Sequence, residues 1–165
     1  MLSKRFPAWH SRAGQDTDFG PEFIAARKKL PCYNRKIHTI RGNYELWRKR
    51  FEKIKAGEAV LSIRQWVGKP YREGSYQKEL ARLTKYDGIG LQKLGITIVK
   101  DKNIGNSISL RIDDNNVSCM KIFRIAENDG LPLVDWCEWI EKYNNTDDLA
   151  IIHFTKFRYR KFGML

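Results

Sequence analysis

The chain has 165 residues, 42% hydrophobic and 12% aromatic, the size of one domain with an adequate core. Its 31 Lys and Arg against 19 Asp and Glu leave a formal net charge of +12, which favours an anionic partner such as RNA or a nucleotide, with a solvated, highly soluble surface as the alternative reading. No apolar run approaches the roughly 20 residues that span a bilayer, and the opening Met1-Leu2-Ser3-Lys4-Arg5-Phe6 lacks the apolar stretch of a secretory signal, so a cytoplasmic protein without membrane attachment is expected.

After an irregular opening, Gly20-Pro21 can start a short helix running to about Leu30, with Pro in the first turn where its missing N–H costs nothing. Lys36-Ile37-His38-Thr39-Ile40-Arg41 reads as a strand, its Thr and Ile suited to a half-buried pleat. Asn43 can cap a helix carrying Trp47, Phe51 and Ile54, with Gly57 as its stop. Glu58 to Trp66 alternates as a strand, and a second helix is expected over Ser75 to Lys85. Gly95 to Val99 and Ser107 to Ile112 read as strands, and Asp113-Asp114-Asn115-Asn116 as a turn leading into a return strand, Val117 to Ile125. Leu131-Pro132 opens a helix with Leu133, Trp136 and Ile140 on one face, and Leu149 to Phe157 closes the domain as a strand. Separated helices among mixed strands predict an α+β fold, a small curled sheet or barrel with helices at its ends. With no repeat or linker, residues 1–165 form a single domain, with 1–30 as an N-terminal extension packed on it.

Charge is uneven. Basic residues from Arg27 to Lys55 and in the tail Lys156, Arg158, Arg160 and Lys161 flank an acidic stretch from Asp113 to Asp148. Cys32, Cys119 and Cys137 are odd in number and too far apart for a CxxC pair, which predicts reduced, mostly buried thiols and no cysteine zinc site.

Three polar side chains concentrate at the first strand. Thr39 and Arg41 fall on one face, and Lys36 joins them only from a turn or bulge, for which Pro31-Cys32-Tyr33-Asn34-Arg35 offers the lead-in. A planar guanidinium at Arg41 can clamp phosphate or carboxylate, or pair with Asp129 or Glu127. Arg64-Gln65-Trp66-Val67-Gly68-Lys69-Pro70-Tyr71-Arg72 interleaves aromatic and basic groups, a composition that stacks a base while holding phosphate, with core or lid packing as the alternative for Trp66 and Tyr71. His38 and His153 lie in expected strands without a neighbouring ligand pattern and are read as structural; no metal site or cofactor is expected. Phosphate-loop, serine-elbow and HExxH motifs are absent.

These residues carry a resemblance to the ASCH family of the PUA-like superfamily, small β-barrels associated with RNA and modified nucleosides. Lys36-x-x-Thr39-x-Arg41 is similar to the family's GxKxxExR motif in its variant with Thr at the Glu position, with Asn34 where the family has Gly. The stretch Glu127 to Trp136 resembles the family's acidic loop and following helix, and Leu149 to Phe154 its closing strand. The resemblance implies a PUA-like barrel of about 5–7 mostly antiparallel strands with peripheral helices. It also implies binding of RNA or a modified nucleoside in a cleft of Lys36, Thr39, Arg41 and the Asp129 loop, with Arg64, Trp66, Lys69 and Tyr71 as further ligand contacts. The family's 4-acetylcytidine branch implies the alternative, a metal-independent amidohydrolase with Lys36 as base, Thr39 as nucleophile, and Asp129 (or Glu127 in its stead) as acid. A third reading is a protein-interaction module whose basic helix, around Arg48, Lys49 and Lys53, meets an acidic partner.

Overall fold

A computed structural model describes residues 1–31, 35–101 and 105–160. Within them lie helices α1 (Phe19–Arg27), α2 (Tyr44–Ala56), α3 (Cys119–Asn128) and α4 (Leu133–Glu141), and strands β1 (His38–Gly42), β2 (Leu61–Val67), β3 (Tyr76–Leu83), β4 (Gly90–Asp101), β5 (Gly105–Ile112), β6 (Asn115–Asn116) and β7 (Thr146–His153). Cys32, Tyr33 and Asn34 of the expected lead-in, and Lys161 of the tail, lie outside the described residues.

The fold is α+β. Five strands pair antiparallel in the order β1-β7-β4-β5-β6, while β2 and β3 form a separate two-stranded sheet. Pairing does not close into a ring among the described residues. The interior strand β7, between β1 and β4, is buried from Leu149 to His153, as expected of a strand covered on both faces. Its Ile151 and Ile152 join Ile40, Leu94, Ile96, Leu110 and Trp136 in one core. Leu2, Phe6, Phe19 and Phe23 belong to that core, so the opening residues are part of its packing. No described helix is long and apolar enough to cross a membrane.

Local chemistry explains the bounds of α2. Asn43 takes φ 63°, which Asn tolerates, and its side chain accepts from the Leu46 N–H at 2.9 Å, while Gly57 ends α2 at φ 87°. Two expectations are overturned. Ser75 to Lys85 holds good helix formers, yet Tyr76–Leu83 is a strand: Leu83 pairs with Leu61, Ala81 with Ile63, and Glu79 sits opposite Arg64. Cross-strand pairing outweighs helix propensity here. The return strand beyond Asp113-Asp114 lasts only for Asn115 and Asn116. Both aspartates have positive φ, the geometry of a two-residue hairpin turn. The chain then turns helical at Cys119, burying Ile125 and Ala126 beside the half-buried Ile122 at helical spacing. The thiols also differ from expectation, since Cys119 is exposed and Cys137 half-buried.

Candidate functional site

Lys36 sits in the irregular approach to β1, where the Ile37 N–H donates to the Arg35 carbonyl at 2.9 Å, a tight turn centred on the lysine. The approach is stitched to the end of α3. Arg35 N–H donates to the Glu127 carbonyl and Ile37 N–H to that of Asn128, each at 3.0 Å. Those two bonds place the lysine side chain against the next residue of α3's end, Asp129.

Both side chains are buried, and Lys36 Nζ donates to Asp129 Oδ1 at 2.5 Å and to the Asp129 carbonyl. The ammonium also lies 3.9 Å from the centre of the Phe19 ring, a cation–π contact strengthened by burial. Asp129 Oδ2 accepts from Trp136 Nε1 at 3.2 Å, and its Oδ1 is 3.8 Å from His38 Nδ1. Burial pushes the Lys36 ammonium below its ordinary pKa, the Asp129 charge and hydrogen bond oppose this, and Arg41 adds to the depression. Gly130 is required beside this pair. Its φ is +84°, and a Cβ there would lie 2.5 Å from Glu22 Oε2 and 3.1 Å from Lys36 Cδ.

Of the expected cleft, Lys36 and Asp129 meet directly, so Asp129 and not Glu127 supplies the carboxylate. Thr39 is buried in register with Ile152 of β7, and its hydroxyl makes no hydrogen bond to a described residue. Arg41 donates to the backbone carbonyls of Ile40 (3.0 Å) and Met1 and also hydrogen-bonds with the Tyr143 side chain. Phe19 covers the ammonium of Lys36 and Trp136 bonds to Asp129, with Glu22 close enough to act on the lysine's charge; distance in sequence hid all three. Lys142 is a further group beside the site. Its ammonium lies 4.7 Å from the Trp139 ring centre and 4.8 Å from that of Tyr143, and burial, then Arg41, lower its pKa to about 8.

Each of the two histidines has one partnered ring nitrogen, while its Nδ1 is buried without a hydrogen-bond partner among the described residues. His38 Nε2 bonds to the Tyr159 hydroxyl at 2.9 Å, and His153 Nε2 to Gln92 Oε1 at 3.0 Å. Because Gln92 Oε1 is the acceptor, His153 carries its proton on Nε2. Burial holds His38 well below its ordinary pKa and His153 at about 2.

The second expected group converges elsewhere. Trp66, Lys69 and Tyr71 line one cavity of about 560 Å³ whose other wall is Met1 to Pro7, including Lys4 and Phe6. The Trp66 and Tyr71 rings meet edge to face with centroids 5.2 Å apart, and Tyr71 is 88% exposed. Arg64 does not join them, since its Nε donates to Ser62 Oγ at 2.8 Å beside Glu79. The wall contributed by the opening residues was invisible in sequence, for it is built by Leu2 pairing with Gln65 across the fold.

Comparison with family models, curated proteins and solved structures finds no match for the chain.

Proposed function

We propose that the chain binds RNA or a modified nucleoside, with a base held in the cavity between the opening residues and the end of β2. The observation that carries this reading is the convergence of Trp66, Tyr71, Lys4 and Lys69 on one cavity of about 560 Å³, within the range of small-molecule sites. Two aromatic rings offer stacking faces, and neither lysine has a carboxylate within ion-pair distance among the described residues, leaving both for phosphate. The likeness of Lys36-x-x-Thr39-x-Arg41 to the ASCH motif supports the same class of ligand and a PUA-like architecture. The test is affinity for short single-stranded RNA. Trp66→Ala should weaken it about tenfold or more, the worth of one stacked base, whereas equal affinity in the two proteins would refute the site.

A second reading is the metal-independent amidohydrolase acting on 4-acetylcytidine-like nucleosides. Its support is the direct meeting of Lys36 with Asp129 and the lowered pKa of the lysine, which would let the amine serve as a base for Thr39. Conversion of 4-acetylcytidine to cytidine by wild-type protein, lost in Thr39→Ala with the fold retained, would establish it. No conversion by wild-type protein would discard it.

A further inference from the structure

The last turn of α1 borders a second cavity. Gly20 in its first turn lies against Gln65 of β2, while Ala26 in its last turn lines a cavity of about 450 Å³ with Leu30, Arg35, Ile37, Thr155 and Phe157, and with Lys29. We infer that this second cavity is a nucleotide site, with the phosphate held between Lys29 and Arg35 and the base against Phe157.

Three observations carry the inference. The first is charge: among the described residues neither Lys29 nor Arg35 has a carboxylate within ion-pair distance, although other basic groups of this surface, such as Arg27 with Asp87, do. Two unneutralised cations at one cavity suit a doubly charged phosphate. The second is backbone conformation. Leu30 N–H donates to the Ala25 carbonyl at 3.0 Å and Lys29 N–H to that of Ala26 at 3.3 Å, the paired bonds that end a helix at a residue of positive φ, usually glycine. Here that residue is Lys29, at φ 55°. The turn thus sets the lysine, at some backbone cost, on the rim of this cavity. The third is the apolar wall. Phe157 lines the cavity, is 40% exposed, and packs edge-on against Tyr159 at 4.9 Å and beside His153 at 6.2 Å between centroids, a braced ring partly open to solvent. Thr155 accepts from the Phe157 N–H at 3.3 Å, leaving its own O–H to donate to the ligand. The volume exceeds what inorganic phosphate alone fills, and the wall of Leu30, Ile37 and Phe157 accommodates a flat ring.

The experiment is calorimetric titration of the full chain with cytidine monophosphate, with cytidine, inorganic phosphate and phenyl phosphate as comparison probes. Wild-type protein should bind the monophosphate at least about tenfold more tightly than cytidine, from hydrogen bonds to a charged group. Arg35→Ala and Lys29→Gly should each close most of that gap. Lys29→Gly should also raise the melting temperature, because it relieves the backbone while removing the ammonium, so weaker binding could not be ascribed to unfolding. Phe157→Ala should weaken the monophosphate and leave inorganic phosphate unchanged. The inference is overturned if the gap persists in Arg35→Ala and Lys29→Gly. It is equally overturned if phenyl phosphate or inorganic phosphate binds wild-type protein as tightly as the nucleotide does.

Discussion

Lys36 and Asp129 form a pair that neither can leave without stranding the other. Asp129→Asn would leave a buried ammonium without its counter-charge, and the expected cost is about 3–5 kcal/mol in urea unfolding. Replacing both at once, Lys36→Met with Asp129→Leu, should cost far less; equal losses would show that the pair is not what holds this corner. The buried imidazoles give a separate signature. Unfolded, they titrate near 6.5, while His153 in the fold is held at about 2 and His38 well below its ordinary value. Below pH 6.5 the unfolded chain therefore binds more protons than the folded one. Stability should be full above that pH and fall on acidification, by up to about 1.4 kcal/mol per pH unit for each ring. His153→Gln should flatten this slope between pH 6.5 and 5, and an unchanged slope would assign the acid sensitivity elsewhere. At this scale, sequence pointed to Lys36 and to an acid in the 127–129 stretch, because both lie in short motifs. It could not show that Phe19 roofs the lysine or that Arg41 reaches the Met1 carbonyl, because those contacts join segments far apart in the chain.

Elements whose ends carry their own chemistry were legible. The cap at Asn43 and stop at Gly57 bracket α2 as expected, and Asn43→Ala should cost about 1–2 kcal/mol, since alanine supplies no cap and resists positive φ. A cost near zero in thermal or urea unfolding would show the cap to be dispensable. Elements set by distant partners were not legible. Tyr76–Leu83 has helical composition, and only β2 across the hairpin makes it a strand. Val117 to Ile125 has apolar residues that suit either period, and the packing of Ile125 and Ala126 in the core decides for a helix. Element geometry also bears on the idea of α2 as an acidic-partner surface. Arg48 is occupied within its own helix by Glu45 at 2.8 Å and Glu52 at 2.5 Å, which leaves Lys49 and Lys53 as the cations such a partner would meet.

For the molecule as a whole, an RNA or nucleotide ligand, as proposed, would join the surplus of positive charge to two cavities bordered by lysine or arginine without an ion-pair partner among the described residues. Binding of RNA should weaken steeply with salt, with log affinity falling linearly in log salt concentration as counterions are released. A flat dependence would mean that the +12 charge serves solubility alone. The α+β class was legible from alternating strand and helix patterns. Closure of the sheet was not, because register and strand order depend on pairings such as β1 with β7 that bridge most of the chain. The most direct measurement is photo-crosslinking of a short 4-thiouridine RNA to the full chain, mapped by mass spectrometry. Crosslinks on the peptides that hold Trp66 to Tyr71 or Met1 to Pro7 are expected, and they should vanish when unlabelled RNA competes. Competable crosslinks confined to other surfaces, or none at all, would contradict the assignment of the aromatic cavity as the place where a base is held.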